Sequence, residues 1–296
     1  MNQPIRDDTK RADFVLEQGE FEKIADIAKT GWGLNIDNGK KPLIKSRLSK
    51  RLRILGLAGF DEYRRIIEAG DEAETDHFIM ALTTNVTHFY REVHHFDYLE
   101  ASVLPELISR AKSGERVRIW SAGCSSGKEP YSIAASILSL DSKAGTYDLK
   151  ILASDIDSDV LSTAQLGSYH PDDCTFPSDS LRSRVFPPDE FTVRPELKSM
   201  ISFRNLNLTA DWPMSGLFDV IMCRNVAIYF DKPTQANLWA KFCAFLKPDG
   251  HLFIGHSERV IDPKQFNLTL CGTTTYKFDR DPAVETKLKG KKENGA

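Results

Sequence analysis

Two glycines and two carboxylates offer the first chemistry in the chain. The run IWSAGCSSGKEPYS (119–132) reads as a strand, a Gly/Ser-rich turn and the opening of a helix. Gly123 and Gly127 let the backbone pass close to a ligand, and the helix that follows presents its N-terminus there. Asp155 stands at the carboxyl end of the next apolar run, LKILASDID (149–157). Ligands of open α/β sheets bind at that edge, and an acid there can hold both hydroxyls of a ribose. Glu129, directly before Pro130, sets a carboxylate at the same helix opening. Its sign selects among nucleosides: a dinucleotide pyrophosphate would be repelled, whereas S-adenosylmethionine has no phosphate and carries an ammonium and a sulfonium. The spacing agrees, because G-x-x-x-G lacks the G-x-G core, and Asp155 lies 28 residues after Gly127 where the dinucleotide fingerprint places its acid about 20 after the turn. Each residue also has a plainer reading. The turn could serve packing, Glu129 could favour the helix dipole, and Asp155 could cap a helix, although Asp157 and Ser158 are better placed to cap.

These residues need a sheet to carry them, and the pattern supplies one. VRIWSAG, LKILASDID, FDVIMCRN and GHLFIGHSE are apolar runs alternating with the helical segments EPYSIAASILSL, DSDVLSTAQLG and QANLWAKFCAFLKPDG. FNLTLCGTTTYKFDR reads as a closing pair of strands, and HFIMALTTNVTHFYREVHHFDYLEASVLPELISRA as a connector followed by a long helix. The alternation predicts an α/β fold with a doubly wound, mostly parallel sheet. Residues 1–78 read as a small all-helical domain and 79–280 as the α/β domain. A small β insertion is expected at about 170–204, with a short helix and two strand-like runs, EFTV and MISF, and 281–296 reads as a polar tail expected to be disordered. In the helical part, Ile44, Leu48, Leu52 and Leu55 recur at helical spacing and Gly56 can end the helix. Arg47, Lys50 and Arg53 point away from that stripe, with Arg51 on its flank; they form either a solvated face or a dock for an acidic partner.

Composition narrows the class. The formal net charge of −3 argues against a general nucleic-acid binder, and no apolar run approaches a membrane span. Five scattered cysteines, odd in number and without a C-x-x-C pair, argue against a disulfide framework or structural zinc. His94-His95 lacks a partner cluster at ligand spacing, so no metal is expected. With no secretion signal at the N-terminus, a cytoplasmic location is expected, and nothing requires more than a monomer.

TTNVTHFYRE (83–92), WSAGCSSGKEPYSIA (120–134), ASDID (153–157), NLNL (205–208), CRNVAIYFDK (223–232) and KPDGHLFIGHSE (247–258) occur in this order. Together they resemble the chemotaxis receptor glutamate O-methyltransferases, the CheR family, over residues 15 to 280. The resemblance implies a class I methyltransferase-like fold that uses S-adenosylmethionine, with S-adenosylhomocysteine as product. It implies cofactor contacts from Asn85, Thr87, Arg91, Glu129, Asp155, Asn207, Leu208, Arg224 and Asn225, beside the turn glycine Gly123. It places Arg91, Arg224 and Tyr229 around the point of methyl transfer. Plainer readings remain: Asn85-Val86-Thr87 is also a glycosylation sequon, and Arg224 with Tyr229 could be a strand-end pair. A charged residue directly after FDVIMC is nonetheless a poor packing choice.

The same resemblance gives the basic helix a task. Arg47, Lys50, Arg51 and Arg53 would dock on the acidic, helical methylation region of a chemoreceptor's cytoplasmic part. Family members that tether to a receptor C-terminal pentapeptide carry a longer, glycine-containing loop in the β insertion. Here that stretch is the short, glycine-free FPPDEFTVRP, so no dependence on the tether is expected. The competing functional class is a cofactor-binding regulatory module without turnover.

Overall fold

The computed structural model describes residues 14–83 and 86–279, so the C-terminal tail and Asn85 lie outside the described residues. The chain divides between Thr84 and Asn85 into two compact units. The first holds helices α1 (Gln18–Trp32), α2 (Lys41–Leu55), α3 (Phe60–Glu68) and α4 (Glu72–Leu82). Ile44, Leu48 and Leu52 of α2 are fully buried, and Gly56 closes the helix at φ 68°. Leu55, the fourth residue of the expected stripe, is 37% exposed, because the chain turns away at the next residue. The unit extends past residue 78: Phe78 packs edge-on against Trp32 at 5.7 Å and near Tyr63 at 6.2 Å, and Ile79 and Leu82 are buried with it.

Arg47 and Arg51 are not simply a wet face. Arg51 grips the buried Glu74 of α4 through Nε (2.8 Å) and Nη2 (2.6 Å), and Arg47 donates to the carbonyls of Ala81 (3.2 Å) and Thr83 at the end of α4. Lys50 and Arg53 are exposed, the latter over the Phe14 ring.

In the second unit, β1 (Val117–Ala122), β2 (Leu149–Asp155), β3 (Ile201–Asn205), β4 (Phe218–Cys223), β5 (Leu246–Ile254), β6 (Leu268–Gly272) and β7 (Thr275–Phe278) form one sheet in the order β3-β2-β1-β4-β5-β7-β6. The first five are parallel, and β7 runs antiparallel between β5 and β6. Strands covered on both faces read as continuous apolar runs. Accordingly, every residue of β4 is buried, including Asp219, whose carboxylate accepts from Lys247 at 2.8 Å and pairs with Arg110 at 3.0 Å.

A helix from Val93 to Lys112 precedes the sheet in three segments: α5 (Val93–Tyr98), a π turn (Leu99–Val103) and α6 (Leu104–Lys112). Pro105 at the start of α6 cannot donate to a carbonyl one turn back, and the wider π turn absorbs that loss. Helices α7 (Lys128–Leu140), α8 (Ser158–Leu166), α9 (Asp179–Val185), α10 (Pro195–Lys198) and α11 (Lys232–Phe245) complete the unit. One face of the sheet packs Ile119, Val220 and Met222 with Ile133 and Ile137 of α7; the other packs Trp120 and Ile221 with Trp239 and Phe242 of α11.

The stretch at 170–204 differs from expectation. MISF belongs to the main sheet as β3, paired with β2. EFTV makes only the single bridge Ser168↔Thr192. Both runs have the composition of strands; a free edge at β2 recruits the first, and the second has no neighbour to extend a ladder. Among the described residues, no helix is long and apolar enough to cross a membrane.

Candidate functional site

Five parallel strands bring their carboxyl ends to one edge of the sheet, and the chemistry-bearing residues follow from there. After β1 the chain turns through Gly123 (φ 81°), Ser125 (φ 49°) and Gly127 (φ 86°), all in the left-handed region. A Cβ on Gly123 would lie 2.3 Å from Cγ2 of Val226, and one on Gly127 would lie 2.7 Å from Cβ of Ala164. The protein's own packing therefore requires both glycines, in addition to any ligand. The backbone N–H of Ser125 donates to Asp155 Oδ2 (2.7 Å), and that of Asp157 donates to Asp155 Oδ1 (3.1 Å). Asp155 is buried at the end of β2; burial pushes its carboxyl above the usual range, and these N–H groups work against that rise. Capping of α8 falls to Asp157, which accepts from Asp159 (2.9 Å) and Val160 (3.1 Å), leaving Asp155 as a turn-bound acid.

Glu129, in the first turn of α7, accepts from the Ser121 hydroxyl at 2.7 Å and faces Nη1 of Arg224 at 3.3 Å. Burial raises its pKa, and the Arg224 guanidinium opposes the rise. Arg224 leaves the end of β4 with its side chain only 1% exposed. It donates to the Arg91 carbonyl, stands 3.4 Å from Glu92 Oε2 and lies over the Phe96 ring at 5.6 Å. The loop after it is fastened by Glu258 beyond β5, whose carboxylate accepts from the N–H groups of Asn225 (3.0 Å), Val226 (2.9 Å) and Ile228 (3.2 Å). That bracing holds Asn225 at φ 60° and sets the single turn Ala227–Tyr229, which carries Tyr229 half-buried.

Thr87 gives its carbonyl to Lys128 Nζ at 3.3 Å, and the half-buried Arg91 guanidinium donates to the Val86 carbonyl at 2.8 Å, so Arg91 reaches Arg224 only through its own backbone. Asn207 and Leu208 follow β3, beside Asp155 through the Leu206 N–H at 2.9 Å. Asn207 accepts from the backbone and hydroxyl of Thr209, and Leu208 is buried in the Trp120 cluster. The structure thus joins Glu129, Arg224 and the Arg91 backbone directly, and ties Asp155 to the glycine turn.

These residues fit S-adenosylmethionine. Glu129, its side chain 13% exposed, and the amide oxygen of Asn225, which has no hydrogen-bond partner among the described residues, are acceptors suited to a cationic ligand end. Each oxygen of Asp155 has one N–H donor and capacity for another, as a ribose diol needs.

Sequence reasoning passed over Glu92, His256 and Glu258, and weighed His95 only as a metal ligand. Glu258 carried a usable signal, an acid at the carboxyl edge of a parallel strand, by the rule that singled out Asp155. Glu92 carried none, because its role depends on a left-handed turn at φ 57°. His95 does have a neighbouring cluster: ligand atoms of Glu92, His94 and His95 lie within 4.8 Å of one another. Glu92 already faces a guanidinium there, and His95 Nε2 is engaged by Thr273 and Thr274, so the arrangement suits a cation already supplied by the chain.

The family model for the CheR methyltransferase, SAM binding domain matches residues 85–276, and that for the CheR methyltransferase, all-alpha domain matches 19–83. A "Probable chemotaxis protein methyltransferase" of Rhizobium etli is 46% identical over 254 residues, covering 83% of this chain and 94% of that protein. The "Chemotaxis protein methyltransferase" of Escherichia coli is 38% identical over 276 residues, 90% of this chain and 93% of that protein. That of Borreliella burgdorferi is 38% identical over 270 residues, 88% and 95% respectively.

Proposed function

The chain belongs to the CheR methyltransferase family, and from that premise we propose that it is a protein-glutamate O-methyltransferase acting on chemoreceptor cytoplasmic domains. The observation that supports this reading most is Arg224: a guanidinium buried at the carboxyl edge of the sheet, facing Glu129 and bound to the backbone of Arg91.

S-adenosylmethionine, when bound, supplies a methyl group activated by a sulfonium. Glu129 and Asn225 would hold its cationic methionine end, and Asp155 its ribose, with Gly123, Thr87, Asn207 and Leu208 around it. The substrate glutamate needs no general base, since its unperturbed pKa is about 4.3. Alignment is what the chain must provide, and near-attack positioning can lower a barrier by roughly 7–11 kcal/mol. Arg91, Arg224 and the Tyr229 hydroxyl would fix one carboxylate oxygen and leave the other to attack the methyl carbon. The product is a glutamate methyl ester and S-adenosylhomocysteine.

Receptor docking falls to the exposed Lys50 and Arg53 of α2, while Arg47 and Arg51 brace that helix against α4. The lone bridge at Thr192 gives a peptide strand little ladder to extend, which supports independence from a pentapeptide tether. Mass spectrometry of chemoreceptor cytoplasmic fragments, incubated with enzyme and methyl donor, should reveal base-labile esters on glutamates. Fragments left unmodified by protein that binds the donor would refute the reading.

A further inference from the structure

We propose that Glu92 is a positioning residue of the methyl-transfer site, whose negative charge offsets Arg224 so that the arginine orients a substrate carboxylate without quenching its nucleophilicity. The inference rests on the glutamate-methylation reading.

Glu92 is the meeting point of four side chains. Its Oε1 accepts from Asn225 Nδ2 (3.2 Å) and from the His256 backbone (3.3 Å), and lies 2.8 Å from His256 Nδ1. Its Oε2 faces Arg224 Nη2 at 3.4 Å and His95 Nδ1 at 3.3 Å. The side chain is 10% exposed. Burial by itself would raise its pKa, yet Arg224, His256 and Asn225 overcome that and hold it at about 2, so Glu92 is ionised throughout the working range.

The backbone is bent to achieve this. Tyr90 (φ 52°) and Glu92 (φ 57°) both occupy the left-handed region, which costs a residue with a Cβ and persists where surrounding structure enforces it. The same bend delivers the Arg91 carbonyl and the Glu92 carboxylate to one guanidinium. Arg224 thereby stands between two carboxylates, Glu92 and Glu129, on opposite nitrogens. With Arg91 included, two cations are set against two anions. The attacking carboxylate loses negative charge as the ester forms, so an uncompensated arginine pair would hold it more tightly in the ground state than in the transition state, and such binding lowers the turnover rate.

Glu92→Gln keeps the shape and an acceptor for Asn225 and His256 but removes the charge; Glu92→Asp keeps the charge with a shorter reach. In the Gln variant, KM for a purified chemoreceptor cytoplasmic fragment should fall roughly 3- to 10-fold and kcat by up to a similar factor. The Asp variant should recover at least part of kcat. Calorimetric binding of the same fragment to S-adenosylhomocysteine-loaded protein should tighten in the Gln variant by a similar factor of roughly 3 to 10. A Gln variant with kcat, KM and fragment affinity all within about twofold of the parent, or with KM raised, overturns the proposal. Tightened fragment binding without ester formation even in the parent would sink the functional reading and leave Glu92's electrostatic role standing.

Discussion

Gly123 couples the turn after β1 to the loop that carries Arg224, and a double-mutant cycle can measure that coupling. Gly123→Ala introduces two costs. The left-handed φ of 81° costs a residue with a Cβ roughly 1–2 kcal/mol. The new methyl also lies 2.3 Å from Val226 Cγ2, an overpacking that typically costs about 1–3 kcal/mol. The single variant should therefore lose about 2–5 kcal/mol of stability. Val226→Ala removes a half-buried side chain and should cost about 1 kcal/mol. In the double variant the clash disappears, because the remaining close atom, Val226 Cβ, is 3.5 Å away, an ordinary contact; the φ cost persists. The two changes should then be less than additive by roughly 1–3 kcal/mol. Urea unfolding followed by tryptophan fluorescence reads the stability term. Titration with S-adenosylhomocysteine reads the same coupling at the site: affinity should drop in Gly123→Ala and recover about tenfold or more when Val226→Ala is added. Additive losses in both measurements would show that Gly123 serves the ligand alone and that the two loops are independent.

Three further outcomes follow from the same geometry. Arg91→Ala and Arg224→Ala should both abolish ester formation, but only Arg224→Ala should also lower stability, by about 3–5 kcal/mol, because it strands Glu129 and Glu92, whose side chains are only 13% and 10% exposed; equal thermal stability of the two variants would contradict this. In the helical unit, Arg51→Ala should cost about 1–3 kcal/mol by stranding the 6%-exposed Glu74, whereas Lys50→Glu should leave stability within about 0.5 kcal/mol and weaken receptor-fragment binding most at low salt. His95 is held at about 4, by burial and then by Arg224; it is a base whose folded pKa lies below its unfolded value, so its contribution is intact above about pH 6.5 and declines as pH falls towards 4. Between pH 6.5 and 5 this amounts to about 2 kcal/mol, with no share from Glu92, whose contribution is lost only below about 4.5; His95→Gln should flatten that part of the stability profile, and parallel profiles would refute the assignment.

The sequence by itself determined the sheet, the helical unit and the type of ligand. Buried parallel strands must be apolar throughout, so FDVIMC announced itself, and an acid at a strand's carboxyl end, Asp155, stood out against that background. Glu129, a carboxylate at a helix opening, pointed to a cationic rather than a phosphate-bearing nucleoside on the ground of charge alone. Tertiary structure decided what pattern cannot encode. MISF became a main-sheet strand because β2 offered an edge, and Arg51 became a brace because Glu74 of α4 lies against it. Glu92 and Glu258 acquired their roles from partners at least 30 residues away: Asn225 and His256 meet Glu92, and the Asn225–Ile228 loop meets Glu258. Periodicity reports which face of an element is buried; it is silent on which side chains from distant elements converge, and the electrostatics of this site arise from that convergence.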